Sequence, residues 1–200
     1  MPAALFALSR RGRLLRELPL AGATNVDWED IAARGDTLYV GDIGDNAASR
    51  PEIAVYRVAG ATVRRIALRY PDGPHDAEAL LVDRSGALVI VTKSVSGEAG
   101  VYTGRAGTLR RVGGLSLGLG EAVTGGDSAG RTVVLRTYDR AYVFTGASVV
   151  RALRRTPCTA GASLLAEGQG EALALAPDAR SFYTLPEGDR PTLRQYVSQH

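Results

Sequence analysis

Short runs of apolar residues follow one another along the chain, and few stretches show the 3.6-residue spacing of an amphipathic helix. Gly, Asp, Asn and Pro separate the runs, which is typical of strands joined by tight turns. The 24 glycines among the 200 residues strengthen this interpretation. We therefore expect an all-β domain.

A recurring motif precedes these runs. Three clear copies share an acidic position followed by small and apolar residues, at 27–32, 76–81 and 169–174. Glu78 follows Glu29 by 49 positions, and Glu171 follows Glu78 by 93, close to two such steps. Thr124, 46 positions after Glu78, marks an altered copy between them. A period of roughly 47 residues predicts β-propeller blades of four antiparallel strands. A sandwich of eight or more strands is the alternative.

The repeats divide the chain into one propeller domain with an N-terminal strand pair and four blades. Their boundaries are 1–22, 23–70, 71–118, 119–160 and 161–200. Fourth strands are expected at 63–70, 108–117 and 149–154. The N-terminal pair lacks the inner strands of a blade. It either completes the last blade and closes the ring, or belongs to an incomplete blade of a five-bladed type.

Blade topology predicts where the acidic positions lie. In an antiparallel meander, the start of the inner strand and the end of the second strand share one end of the blade. Equivalent positions of successive blades should therefore ring one mouth of the central channel. We expect Glu29, Glu78, Thr124 and Glu171 to meet there.

Several carboxylates at one narrow mouth would raise one another's pKa values unless a cation lies between them. Calcium accepts such oxygen ligands in flexible geometry, and magnesium suits the site less well. With one cysteine and two histidines, the chain has no thiolate or imidazole set for zinc. We therefore predict Glu29, Glu78, Thr124 and Glu171 as calcium ligands. The alternative is that acidic side chains cap turns or bind backbone amides between blades.

The second-strand ends supply further polar residues to the same mouth. We predict that a ligand would contact these side chains: Asp42, Asp45, Asn46, Lys93, Arg136 and Glu187. Beside a bound cation, Lys93 and Arg136 would hold an anionic group. The alternative is that each of them pairs with a neighbouring acid at the rim.

Charge and hydropathy limit the classes of partner that the chain can bind. The net charge is +3, and no run of five or six like charges indicates a nucleic-acid arm. No apolar stretch has the length of a membrane span. We expect a soluble monomer that binds a small anionic ligand or a protein partner. Neither cytoplasm nor export is favoured.

The motifs resemble a group of actinobacterial propeller proteins to which we assign no activity. The resemblance rests on residues 27–32, 39–46, 75–80, 123–127 and 167–172. A more distant resemblance is to calcium-activated nucleotidases, or apyrases, which are five-bladed propellers with a calcium in the channel. It covers Trp28-Glu29, His75-x-x-Glu78 and Glu167-Gly168 with Glu171, and implies calcium near Glu29, Glu78, Thr124 and Glu171. The aromatic nucleotide-binding loops of apyrases have no counterpart here.

Two functions remain open. The first is a binding module in which a cation holds the mouth together. The second is a metal-dependent hydrolase of a phosphorylated small molecule. In the hydrolase, Asp76 or Glu78 would be the general base, and Lys93 and Arg136 would stabilise developing negative charge.

Overall fold

The computed structural model describes residues 3–157 and 161–197 of the chain. The outermost residues of the first and last predicted units, and residues 158–160 at a blade boundary, lie outside this part. Within it, four antiparallel sheets form the blades of a four-bladed β-propeller, which confirms the predicted fold. No helix in these residues has the length and apolar character needed to cross a bilayer.

The strands follow one another from the channel outward in each blade. The N-terminal pair is β1 (Ala4–Leu8) and β2 (Leu14–Pro19). Blade 1 consists of β3 (Trp28–Arg34), β4 (Thr37–Asp42), β5 (Ile53–Ala59) and β6 (Thr62–Arg69). Blade 2 consists of β7 (Ala77–Val82), β8 (Leu88–Thr92), β9 (Glu98–Gly104) and β11 (Arg110–Ser116); the short β10 (Gly107–Thr108) pairs in parallel with β6. Blade 3 contains β12 (Gly125–Ala129), β13 (Thr132–Arg136), β14 (Arg140–Thr145) and β15 (Ala162–Ser163). Blade 4 has β16 (Gly170–Leu175), β17 (Ser181–Pro186) and β18 (Arg194–Val197).

One predicted strand is a helix. Residues 149–154 were expected as the fourth strand of blade 3, but α1 (Val149–Leu153) occupies most of this segment, and β15 takes the fourth position. The Ser148 side chain caps the helix by accepting from the Arg151 amide. Val149, Ala152 and Leu153 are buried with i, i+3, i+4 spacing, so a helix buries what a strand would have exposed on alternate faces.

The apolar core lies between the blades. Strands β7 and β8 of blade 2 are buried along their whole lengths, because blade 1 covers one face and blade 3 covers the other. Each fully buried Leu or Val side chain contributes about 1.5–3 kcal/mol. Blade 4 is covered mainly on its blade 3 side, and in its strands β16–β18 only Gly170, Leu173 and Thr184 are buried.

Aspartates add polar links at two of the interfaces. Asp30 of blade 1 accepts from the Leu80 amide of blade 2 at 2.8 Å. Asp127 of blade 3 accepts from the Leu175 amide of blade 4, also at 2.8 Å. At the interface between blades 2 and 3, Ala79 faces Gly126, and small residues replace the carboxylate.

The N-terminal pair forms a two-stranded sheet of its own and packs on blade 1. Leu20 is buried there against Val40 and Tyr56. On the other side, the Arg10 guanidinium lies 5.3 Å from the centre of the Tyr183 ring in blade 4. The pair therefore lies between blades 4 and 1 without joining the ladder of β16–β18, so within the described residues it does not complete the last blade by strand pairing.

Candidate binding site at the acidic channel mouth

Three glutamates share one backbone irregularity at the start of an inner strand. In blade 1, Trp28 pairs with Asp42 and Asp30 with Gly41, which leaves Glu29 as an extra residue in the ladder. The same register shift leaves Glu78 unpaired between Ala77 and Ala79, and Glu171 between Gly170 and Ala172. A β-bulge of this kind redirects the side chain of its extra residue.

Blade 3 lacks both the bulge and the glutamate. Gly125 pairs with Arg136 and Gly126 with Leu135, so the ladder continues without an extra residue. The altered third repeat is therefore one residue shorter at this point. Thr124 precedes the strand, and its buried hydroxyl donates to the Gly170 carbonyl of blade 4 at 2.9 Å. It connects two inner strands at the mouth.

Glu29 lies among other carboxylates. Partial burial and the neighbouring charges of Glu78 and Asp27 raise its pKa to about 8. The Glu29 and Asp27 carboxylates both approach Gly44, where a Cβ atom would clash with them. Glycine at this position therefore leaves room for two acidic side chains. Gly44 lies in the loop that follows β4, so this loop lines part of the mouth.

Glu78 is the most buried of the three glutamates, with 3% of its surface exposed. Burial raises its pKa to about 7, although its contact with Lys93 acts in the opposite direction. The Lys93 ammonium binds Oε1 of Glu78. Oε2 is buried and has no hydrogen-bond partner within the described residues. A buried carboxylate oxygen without a donor is costly, so this atom is available to a cation or to a donor group of a ligand.

Lys93 connects the glutamates across the channel. Burial acts to lower the pKa of Lys93, but the contacts with Glu78 and Tyr138 together outweigh it and raise the pKa. The ammonium lies 5.5 Å from the centre of the Tyr138 ring, and the Tyr138 hydroxyl is 3.4 Å from Oε1 of Glu171. Burial, followed by the charge of Glu187, raises the pKa of Glu171. The three bulge glutamates thus form one electrostatically linked group, which we call the acidic mouth.

Two predicted ligand-binding aspartates have structural contacts. Asp42 accepts from the Asp27 amide and forms an ion pair with Arg50 at 2.9 Å. Asp45 accepts from the Ser49 and Arg50 amides and shapes the loop. Both carboxylates are almost fully buried. They hold the loop in place beneath the mouth, which matches the alternative that acidic residues cap turns.

Lys93 and Arg136 occupy different positions, although the sequence suggested equivalent ones. The Lys93 amide donates to the Asp76 backbone carbonyl just beyond the strand, as the Glu187 amide donates to the Gln169 carbonyl. Arg136 lies one residue earlier, inside the ladder. Because a shift of one residue reverses the face of a strand, the two side chains diverge.

The Arg136 side chain is fully buried, and its donors bind groups of the protein itself. Its Nη1 group is 3.1 Å from Oε2 of Glu167 and also donates to the Ala172 carbonyl. Arg194 and Thr184 bind the other oxygen of Glu167. Gly170 has no side chain, which leaves the space that the guanidinium occupies. We therefore place Arg136 in the support of the mouth and not in the proposed site.

A cavity of about 540 Å³ adjoins the acidic mouth between blades 1 and 2. Asn46, Asp76 and Lys93 line it together with His75 and Tyr102. The His75 ring nitrogen Nε2 lies 3.0 Å from both the Asp72 carboxylate and the Tyr102 hydroxyl. The sequence repeats do not indicate Tyr102, because it lies inside β9, away from the strand ends at which the repeats match.

The predicted metal ligands come together only in part. Within residues 3–157 and 161–197, no three His, Cys, Asp or Glu side chains are arranged closely enough to hold a metal ion as they stand. Glu29 and Glu78 influence each other, and Glu78 and Glu171 influence each other. The donor set suits a hard cation, and the unpartnered Oε2 atom of Glu78 is a free ligand atom.

Comparison with known proteins identifies no family. No protein-family model and no curated protein matches the chain. Among solved structures, exo-β-1,3-galactanase from Phanerochaete chrysosporium, crystallised with β-1,3-galactotriose, is 14% identical, with 94% of this chain and 47% of that chain covered and a TM-score of 0.54. The PQQ-bound aldose sugar dehydrogenase from Streptomyces coelicolor is 9% identical, with 97% and 87% covered and a TM-score of 0.48.

A protein from Lactobacillus plantarum is 16% identical, with 94% of this chain and 59% of that chain covered and a TM-score of 0.49. This chain thus spans about half the length of the galactanase and about three fifths of the Lactobacillus protein. At such low identity the likeness concerns the fold alone. The resemblances to the actinobacterial group and to apyrases stay predictions.

Proposed function

We propose that the protein is a binding module that holds a cation, calcium first, in the acidic mouth and receives a small anionic ligand or a protein partner there. The observation that carries this proposal is the buried Oε2 atom of Glu78, which lacks a partner within the described residues. It belongs to a group of carboxylates whose pKa values are raised by burial and by one another. A cation would bind the unpartnered oxygen of Glu78 and would reduce the repulsion among the carboxylates.

Glu29 and Glu78 are the residues that would hold the cation, and Glu171 would contribute from across the channel. Calcium would supply positive charge to which an anionic group can bind. Without it, an anion would meet several carboxylates and a single ammonium, Lys93, that already binds Glu78. Lys93 therefore competes with the cation for Oε1 of Glu78.

Thermal unfolding with calcium, magnesium or EDTA tests this proposal. We expect calcium to raise the melting temperature by several degrees, since a ligand present at 100 times its Kd adds about 2.7 kcal/mol to the free energy of unfolding. Glu29→Gln and Glu78→Gln should each lose most of this response. Glu17→Gln is the matched control, because Glu17 is exposed on β2, outside the mouth.

The proposal fails if neither cation changes the melting temperature of the unmodified protein. It also fails if Glu29→Gln and Glu78→Gln respond to calcium as fully as Glu17→Gln does. An increased calcium affinity in Lys93→Met would support the competition between the ammonium and the cation.

A second candidate, a hydrolase, is favoured by the pKa of Glu78. A carboxyl group with a pKa of about 7 is suited to general acid–base chemistry at neutral pH. Asp76 lines the adjoining cavity and is the alternative base. Release of phosphate from nucleotides and sugar phosphates, measured with calcium present, separates the candidates. Turnover that is lost in Glu78→Gln or Asp76→Asn would favour the hydrolase, whereas calcium binding without turnover favours the module.

A further inference from the structure

The opposite end of the channel carries arginines at the turns of the inner hairpins. Arg34 ends β3, Arg84 lies in the turn after β7, and Arg131 lies in the turn after β12. The inner strands of blades 1, 2 and 3 lie side by side, so the turns at their ends lie close together. All three arginines line one cavity of about 320 Å³. We call this cavity the basic pocket.

Backbone contacts between blades anchor two of these side chains. The Nη2 group of Arg34 donates to the Arg84 carbonyl at 2.8 Å. The Nη2 group of Arg84 then donates to the Gly130 carbonyl of blade 3 at 3.1 Å. Each contact links one hairpin to the next. A guanidinium group has five N–H donors, so each arginine has further donors to offer to a ligand.

The positive charge of the basic pocket is largely uncompensated. Asp83 is the single carboxylate among the described residues that line it. A fourth guanidinium is close by, since Arg105 and Arg34 both approach Gly86. Within the described part of the chain, none of these four arginines takes part in an ion pair. The arginines beside Glu52 differ, because Arg65 and Arg69 both form ion pairs with that carboxylate.

We propose that the basic pocket binds a small phosphorylated molecule. Guanidinium groups bind phosphate oxygens in pairs, and several of them on one pocket suit a ligand with two or more negative charges. Hydroxyl groups of Ser128, Thr132 and Ser148 line the same cavity and add hydrogen-bond donors. The volume admits pyrophosphate or a small sugar phosphate.

Calorimetric titration with pyrophosphate, at constant ionic strength, tests the site. The test variant is Arg34→Gln/Arg84→Gln/Arg131→Gln. The matched control is Arg57→Gln/Arg64→Gln/Arg65→Gln, which removes the same charge from a second arginine-lined cavity that contains Glu52. We expect the test variant to weaken binding at least about tenfold, and the control to weaken it less than about twofold.

Citrate provides a second arm, because it carries similar charge on carboxylates. Pyrophosphate should bind more tightly than citrate if the pocket selects phosphate. The proposal is overturned if the unmodified protein does not bind pyrophosphate, if both triple variants weaken it equally, or if citrate binds as tightly. Circular dichroism of both variants checks that the fold is retained, and single Arg84→Gln replaces the test variant if it is not.

Discussion

The two ends of the channel carry opposite charges and hold them in different ways. At the acidic mouth, Glu78 and the Arg136–Glu167 ion pair are buried. At the basic pocket, Arg34, Arg84 and Arg131 are exposed, and the first two donate to backbone carbonyls. Buried charges need partners and shift their pKa values, whereas exposed charges need neither. One end of the propeller therefore couples its charges to stability, and the other keeps them free for binding.

The length of the segments that connect the strands explains this difference. The inner hairpins turn within a few residues, so their side chains stand at the surface. At the other end, longer segments such as residues 43–52 and 70–76 connect the strands and cover the carboxylates. Bulges at Glu29, Glu78 and Glu171 then direct the covered side chains toward one another.

The largest expected effect is a difference in the free energy of unfolding between arginine variants at the two ends of the channel. Arg136→Met removes the more buried of the two arginines that pair with Glu167, and should lower the free energy of unfolding by about 3 kcal/mol. Arg131→Met, at the basic pocket, should change it by less than about 0.5 kcal/mol. Urea unfolding measures both. Equal losses would show that the two ends hold their arginines in the same way.

A smaller effect concerns Lys93. Lys93→Met leaves Glu78 without its ammonium, and should destabilise the protein by about 2 kcal/mol at pH 9. Near pH 6 the loss should be smaller, because Glu78 is then protonated, its pKa being about 7 even beside Lys93. Urea unfolding at the two pH values gives this difference. A loss that does not change with pH would contradict the pairing.

The acidic mouth should make stability depend on pH. Glu29 has a folded-state pKa of about 8 against an ordinary value of 4.5, so the folded state holds its proton more tightly. With respect to this group, the free energy of unfolding therefore falls as the pH rises from 4.5 to 8. Solvent screens a partly exposed carboxyl, so the expected loss is about 1 kcal/mol. Thermal unfolding of Glu29→Gln should show a shallower fall, and an unchanged slope would exclude Glu29.

The smallest effect is on Glu171. The nearby charge of Glu187 contributes to its raised pKa, after burial. Glu187→Gln should therefore lower the pKa of Glu171 and stabilise the protein by a few tenths of a kcal/mol at neutral pH, as expected for removal of a surface repulsion. Carboxyl NMR titration follows the pKa directly. If Glu171 titrates as before, the two groups do not interact.

The sequence predicts the architecture well, because the spacing between copies of the repeated motif gives the length of one blade. Glu29, Glu78 and Glu171 align by spacing, and the structure gives each the same bulge. The bulge itself does not follow from the spacing, since an extra residue in a ladder leaves no distinct pattern. The prediction of a strand at 149–154 is wrong because the β-branched pair Val149-Val150 favours a strand, whereas the Ser148 cap and the burial of Val149, Ala152 and Leu153 favour a helix.

The positions of Lys93 and Arg136 could not be predicted to within one residue. The alignment matched the ends of two strands by composition, but the hydrogen-bond register separates them. One residue decides whether a charge faces the channel or the blade interface. The basic pocket was also missed, because scattered arginines do not mark a site until the hairpins are placed side by side.

The interfaces between blades also differ in kind, with a consequence for temperature. Blades 1 and 2, and blades 3 and 4, are joined by an aspartate that accepts from a backbone amide. At the same place blades 2 and 3 meet through Ala79 and Gly126, and their polar links lie elsewhere, where Arg84, Tyr142 and Arg154 donate to carbonyl oxygens across the interface. Apolar contact weakens on cooling. The contact between Ala79 and Gly126 is therefore the part of these inner-strand interfaces that cooling should weaken first.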